Sequence, residues 1–247
     1  MPKFVTCSAI SDAKIKSKWS IIGKYSTLQL ILVILELSLF AGVAYPSRKY
    51  IKSFQNIEVI SYYWLAFTIL TGIWEVCFIS NYHSINDVSQ KLITNGEHAW
   101  TNKYTLNYVF PWNVAKIFYA EYGAWADREY MTPYDGWSRT IEGSHALFCG
   151  LFALLSIYGR ITKKKRYALI MAAVGMGCQL MNSVLYMVNY FIQSKDEYSC
   201  NYNNNTFPMG FALIERPFMY VNIFWTLMPI WVILTSIYYD NKKIKNH

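Results

Sequence analysis

The sequence predicts an all-α protein, an integral membrane bundle of five transmembrane helices. Two observations carry that expectation. Five apolar stretches each approach the roughly 20 residues a helix needs to cross a bilayer, and 54% of the 247 residues are hydrophobic against 15% charged. Lipid offers a bare backbone no hydrogen bonds, so such stretches enter it as helices. The aromatic content, 21 Tyr, 14 Phe and 9 Trp, exceeds what interfacial belts alone require, and several of these rings fall mid-span.

The organisation follows from the stretches in order. A polar basic tail over 1–26 precedes a membrane domain over 27–240, and a second basic tail closes the chain at 241–247. The first stretch, 27–45, ends in the small residues Gly42-Val43-Ala44. Its polar leader is long and its apolar run exceeds a signal-peptide core, so it reads as an uncleaved helix. The second runs over 58–80, the third over 140–159, the fourth over 167–193 and the fifth over 217–239. Between the second and third, residues 81–139 form one long non-spanning segment, polar as far as Thr101. From Trp112 to Tyr130 it mixes aromatics with Lys116, Glu121, Asp127, Arg128 and Glu129. That mixture suits either a helix lying at the interface or a cover over a cavity.

The net charge of +8 is concentrated beside the spans. Arg48, Lys49 and Lys52 follow the first; Arg160, Lys163, Lys164, Lys165 and Arg166 follow the third; Lys242, Lys243 and Lys245 follow the fifth. In a five-helix arrangement all three clusters fall on one side, which the positive-inside bias makes cytoplasmic. The N-terminus then faces the lumen despite its five lysines. The 194–216 loop is lumenal as well, and it carries the glycosylation sequon Asn204-Asn205-Thr206. Membrane lipid is the expected partner of such clusters. Nucleic acid is not, because no soluble basic face exists to hold it. Whether two copies form a homodimer is open in the sequence. Cys77, Cys149 and Cys178 lie within spans as packed thiols; Cys7 and Cys200 lie outside and pair only if both face an oxidising side. No CxxC or Cys/His spacing suggests a metal site.

Three carboxylates fall inside the spans: Glu36, Glu75 and Glu142. Each costs at least ~2.5 kcal/mol at bilayer depth, and such a residue normally faces a bundle interior. Glu36 has no polar companion at close helical spacing and reads as a structural or cavity-rim group. Glu75 has Thr71 one turn before it and Trp74 beside it, and Glu142 shares a helix face with His145. Gln179, Asn182, Ser183 and Tyr186 make a polar stripe on the fourth span, and Asn222, Trp225 and Pro229 repeat that spacing on the fifth. Each stripe serves equally as interhelical hydrogen bonding or as pocket wall, and the simplest packing turns all four inward. A protonated Glu is a general acid, an ionised Glu or neutral His a general base. Aromatic faces stabilise a nearby cation by ~0.5–2 kcal/mol. Together these groups suit proton transfer on an apolar substrate, such as moving a carbon–carbon double bond.

At these residues the chain resembles the emopamil-binding protein family, the Δ8-Δ7 sterol isomerases and relatives that share the EXPERA domain. The resemblance covers about residues 58–240. The second-span H-x-x-x-E-G-[WY]-F pattern keeps its acid as Glu75 within TGIWEVCF. An E-Y…D-x-R-Y pattern is matched by Glu121-Tyr122 and Asp127-Arg128-Glu129-Tyr130, and the third-span E-[GT]-[IS]-T-A…G pattern by Glu142-Gly143-Ser144-His145-Ala146 with Gly150. The fourth-span G-Q-x-Y-G-D-x-x-Y pattern is matched only by Gln179, Val184, Leu185 and Tyr186, with Met181 and Ser183 in place of its Tyr and Asp, and the fifth-span N-x-x-W-x-x-x-P is complete as Asn222, Trp225 and Pro229.

The resemblance implies a sterol held within the bundle and an isomerase that shifts its ring double bond through a carbocation. It casts Glu75, Glu142 and His145 as catalytic, with Thr71, Trp74, Gln179, Asn182, Tyr186, Asn222 and Trp225 around the substrate. It implies no cofactor and no metal, since isomerisation is redox-neutral, and it makes cationic amphiphilic amines inhibitors because they mimic the carbocation. Two departures stand out. Thr71 occupies the place of the family's second-span His, and His145 the place of its third-span Thr. Either His145 supplies the imidazole from the opposite wall, or the relay is broken and the protein binds sterol without isomerising it, like the sigma-2 receptor branch. Lys243 and Lys245 also match the K-x-K-x-x retrieval signal of endoplasmic-reticulum membrane proteins, which works on a cytoplasmic C-terminus.

Overall fold

Six α-helices and one short 3-10 turn make up the computed structural model, which describes residues 27–99, 110–125, 136–193 and 218–244. In chain order they are α1 (Thr27–Tyr50), α2 (Val59–Asn95), α3 (Pro111–Trp125), α4 (Gly136–Ile161), α5 (Lys165–Gln193) and α6 (Phe218–Ile244), with the 3-10 turn Phe54–Asn56 between α1 and α2. Four of them, α2, α4, α5 and α6, are long and apolar enough to cross a membrane. Phe148, Leu151, Val184, Leu185, Phe224 and Leu227 stand exposed on α4, α5 and α6. Apolar surface of that extent suits hydrocarbon rather than water.

Glycines set how closely the helices approach. A Cβ added at Gly72 of α2 would lie 3.2 Å from the Ala146 carbonyl oxygen and from the Gly150 Cα of α4. One added at Gly150 would lie 3.1 Å from the Thr68 carbonyl oxygen. Gly175 of α5 meets α4 in the same way, 2.8 Å from Phe152 Cβ and 3.3 Å from the Cys149 carbonyl oxygen. Where lipid removes the hydrophobic drive between helices, small residues let backbones close to van der Waals contact. Because α2 and α4 cross at 72 and 150 with Gly143 against Ile79, Glu75 falls at the level of the turn that carries His145 and Ala146.

At the other end of α2, Phe54 and Ile57 share a buried cluster with Ile157 of α4 and Val232 of α6. The Glu58 carboxylate caps α2 by accepting from the Ser61 N–H at 2.7 Å, and it also accepts from the Trp231 indole at 3.1 Å. Ser61 and Thr235 hydroxyls bond at 2.8 Å. These contacts gather the basic loop 46–57, the basic turn 160–166 and the C-terminal half of α6 at one end of the bundle.

The structure departs from the sequence expectation after residue 80. The predicted span ends there, yet α2 continues to Asn95, bent at Asn81 (φ −118, ψ 17), whose amide donates to the Cys77 carbonyl at 3.0 Å. Tyr82, Ile85, Ser89 and Leu92 recur at helical spacing and pack on Ala115, Tyr119, Ala120 and Ala124 of α3. Asn86 is buried with them, whereas His83, Ser84, Asp87 and Lys91 lie on the outer face, and these polar residues are why a hydropathy reading stops short. Residues 111–125, open between interface and cover, form a helix docked on α2. Residues 126–130 lie outside the described residues, as do the side chain of Glu36, Cys7, Cys200, the Asn204 sequon and the last three residues.

Gly96 closes α2 in the left-handed region (φ +66), with its N–H on the Ile93 carbonyl and the Glu97 N–H on the Leu92 carbonyl at 3.0 Å. The chain then folds back on α3. His98 Nδ1 lies 2.5 Å from Glu121 Oε1, the Ala99 N–H donates to Glu121 Oε2 at 2.7 Å, and the Trp125 indole donates to the Glu97 carbonyl at 3.0 Å. The Glu121 hydrogen bond holds the His98 pKa above its ordinary 6.5, against the opposing effect of burial. A raised histidine pKa stabilises the fold fully below the unfolded value and ceases to do so as pH rises through the folded value. The melting temperature of the wild type therefore exceeds that of His98→Gln most at pH 6, and the gap narrows as pH rises above 6.5. Thermal melts of both proteins in detergent between pH 6 and 9 check this; a gap independent of pH would contradict it.

Candidate functional site

The polar stripe on α5 is the hub of the bundle, because each member bonds to a different helix. Gln179, 3% exposed, accepts from the Trp64 indole of α2 at 2.9 Å. Asn182 Nδ2 lies 3.1 Å from His145 Nε2 of α4. With the amide as donor, Nε2 is the acceptor and the ring proton sits on Nδ1. The Ser183 hydroxyl lies 2.8 Å from that of Thr226 and donates to the Asn222 carbonyl at 3.1 Å, both on α6. The Tyr186 hydroxyl lies 2.6 Å from the Tyr122 hydroxyl of α3.

Aromatic rings join these contacts into a circuit. Trp225 of α6 meets Trp64 edge-on, with centroids 4.9 Å apart, and Phe67 at 5.6 Å. Phe67 leads to Trp74 at 6.2 Å, Trp74 to Phe118 at 5.8 Å, and Phe118 to Tyr122 at 6.2 Å. Tyr122 passes to Tyr186, and α5 returns to α6 through Ser183. The three edge-to-face pairs among them, Trp64–Trp225, Phe67–Trp225 and Phe67–Trp74, add about 0.5–1.5 kcal/mol each beyond the area they bury. The circuit therefore holds its shape on its own contacts.

Glu75 lies on α2 within this arrangement, 5% exposed, roughly 24 Å along the helix from its first residue. The Tyr119 hydroxyl of α3 donates to Glu75 Oε1. Tyr119 is itself buried, its ring tilted against Phe78 with centroids 4.9 Å apart. Thr71, one turn before Glu75, is buried and donates its hydroxyl back to the Thr68 carbonyl of its own helix at 2.9 Å.

The sequence-predicted site residues thus fall into three kinds. Gln179, Asn182, Tyr186, Trp74, Trp225 and His145 join contacts that cross between helices, and Asn222 enters through its backbone carbonyl. Thr71 turns to its own backbone. Glu142 belongs to α4, but its side chain lies outside the described residues. Sequence reasoning passed over Trp64, Phe67, Phe118 and Tyr119, and named Tyr122 only within the E-Y pattern. For two of them the signal was present: Trp64, Phe67, Thr71 and Trp74 recur at i, i+3, i+7 and i+10, one face of α2. For Tyr119 there was none, because the segment 112–130 stays open between interface and cover and no pattern singles out one of its tyrosines.

The chain matches no family model, no curated protein and no solved structure. Its chemistry therefore has to be argued from the buried carboxyl, the phenol that holds it, the imidazole–amide pair and the ring circuit. No formal cation is among these groups. A buried acid amid neutral donors and π faces suits a guest that is itself apolar and becomes positive.

Proposed function

We propose that this chain is a sterol isomerase of the emopamil-binding type, a five-span endoplasmic-reticulum protein with α1 as its first span and its C-terminus in the cytoplasm. It holds a sterol among its helices and moves a ring double bond from Δ8 to Δ7. Glu75 is the observation that carries the reading: a buried carboxyl in a span, bonded to a phenol and beside an aromatic circuit that includes Trp225.

The reaction balances without an oxidant. A carboxylic acid gives its proton to one alkene carbon, the π pair becomes the new C–H bond, and positive charge develops on the other carbon. The faces of Trp74 and Trp225 stabilise that charge by ~0.5–2 kcal/mol or more when dry. A base then takes a proton from the neighbouring carbon, and the pair of that C–H bond becomes the new double bond. Glu75 and Glu142 exchange the two protons. His145, oriented by Asn182, assists with its Nδ1–H, and Gln179, Tyr186 and Asn222 shape the wall.

One observation favours a non-catalytic sterol binder instead. The Thr71 hydroxyl stands where the family's second-span imidazole would be, and it is committed to the Thr68 carbonyl. The two readings separate in cells lacking their own sterol isomerase, fed a Δ8 sterol and assayed by mass spectrometry. The isomerase reading expects Δ7 product that falls about 100-fold or more in Glu142→Gln and about tenfold in His145→Ala. Full activity of His145→Ala would remove the imidazole from the relay. No product from folded, sterol-binding wild type would establish the binder.

A further inference from the structure

We propose that Tyr119 is a positioning residue for Glu75, holding Oε1 as a permanent acceptor so that the exchangeable proton is carried on Oε2. The inference deepens the reading of Glu75 as a proton donor and rests on it. Its ground is geometric: the phenol is buried, lies outside the four candidate spans, and donates directly to Glu75, a carboxyl buried on α2. The contact crosses between helices, from α3 to α2. A helix whose sequence leaves it open between interface and cover therefore fixes the acid of the site.

The chemistry follows from which atom holds the proton. Burial, and then the neighbouring Glu75 charge, push the Tyr119 phenol well above its ordinary pKa of 10. It stays a neutral donor throughout the physiological range and does not itself relay protons. An oxygen that always accepts from such a donor is not the one that bears the acidic hydrogen, so the Glu75 O–H is on Oε2. When that O–H bond breaks and its proton forms the C–H bond of the substrate, the carboxylate left behind still accepts from Tyr119. Hydrogen bonds to an ionised acceptor are about twice as strong as neutral ones. The phenol therefore favours the state in which the proton has left, and its contribution grows along the reaction rather than on binding.

The packing makes the position selective. Phe78 lies against the Tyr119 ring, and Ala115, Ala120 and Ala124 seat α3 closely on α2. Removing only the phenol oxygen leaves this packing in place, so Tyr119→Phe is a clean probe. Tyr119→Phe lowers kcat about 10- to 100-fold with KM within about twofold and the melting temperature nearly unchanged.

A double-variant cycle separates positioning from general support. Glu75→Gln with Tyr119→Phe is no slower than Glu75→Gln alone, because the phenol has no acid left to hold. A second cycle uses the binding of dodecyldimethylamine, whose protonated nitrogen seeks the carboxylate. Tyr119→Phe changes the Kd for this amine at least about fivefold in the wild-type background and not in Glu75→Gln. Overturning results are equally definite: Tyr119→Phe within twofold of wild type in kcat, or an effect that persists undiminished in the Glu75→Gln background. If the wild type turns over no Δ8 sterol, the isomerase reading fails, and the amine cycle alone decides the role of Tyr119. An amine Kd indifferent to Tyr119 in both backgrounds would then sink it.

Discussion

Glu75→Gln is expected to lower isomerase turnover by about a thousandfold while leaving the bundle folded. Positioned acid–base groups contribute about 10²- to 10⁴-fold each, and Glu75 is a carboxyl buried within α2 that accepts from a donor on another helix. Glutamine has nearly the same shape, and its amide oxygen accepts from the Tyr119 hydroxyl as Oε1 does. The α2–α3 contact therefore survives, and what is lost is the transferable proton. The Δ7-to-Δ8 product ratio at matched protein level, read by mass spectrometry beside a thermal melt in detergent, checks both halves. Retained turnover would remove Glu75 from the chemistry; a collapsed melt would recast it as a structural group.

Gly150→Leu is expected to have the largest effect on stability. Even a Cβ at this position would stand 3.1 Å from the Thr68 carbonyl oxygen and 3.2 Å from the Gly72 Cα. Those neighbours are backbone atoms of a facing helix, so no rotamer change relieves the crowding and α2 and α4 must separate. Overpacking of this kind costs about 1–3 kcal/mol, more where the backbone must move. The separation also displaces Glu75 relative to His145, so activity falls along with stability. Gly143 is tighter still within the same crossing, where an added Cβ would stand 2.5 Å from Ile79 Cγ1, but there the neighbour is a side chain rather than backbone. Gly177 is the control, with nothing within 4 Å of an added Cβ. Gly177→Ala melts at or above the wild-type temperature, since alanine is the better helix former. Equal melts for Gly150→Leu and Gly177→Ala would contradict the crossing.

Much of this was legible in the sequence because lipid imposes long apolar runs. The stretches at 140–159 and 167–193 lie within α4 and α5, and α6, from Phe218 to Ile244, covers all but the first residue of 217–239 and runs past its end. The stripe of Gln179, Asn182, Ser183 and Tyr186 was legible for the same reason: a polar side chain in an apolar helix has few places to go. The extension of α2 past Asn81 was not, because its exposed face carries His83, Asp87 and Lys91, which a hydropathy average counts against a helix in lipid. Its periodicity of Tyr82, Ile85, Ser89 and Leu92 did carry the signal. The role of Tyr119 was beyond sequence reasoning, since one tyrosine among several in 111–125 is singled out only when α3 is laid against α2. Thr71 shows the opposite failure. Its place beside Glu75 suggested a site residue, but a threonine hydroxyl in a helix finds its own backbone carbonyl close by.

In the proposed reaction the substrate gains one proton and loses another as its double bond moves. Purified protein incubated with a Δ8 sterol in deuterated water tests it most directly, with the product analysed by mass spectrometry. The account predicts a Δ7 sterol that has gained one deuterium at the newly saturated ring carbon, and no such product from Glu75→Gln. Sterol recovered unchanged and unlabelled from protein shown to bind it would contradict the account.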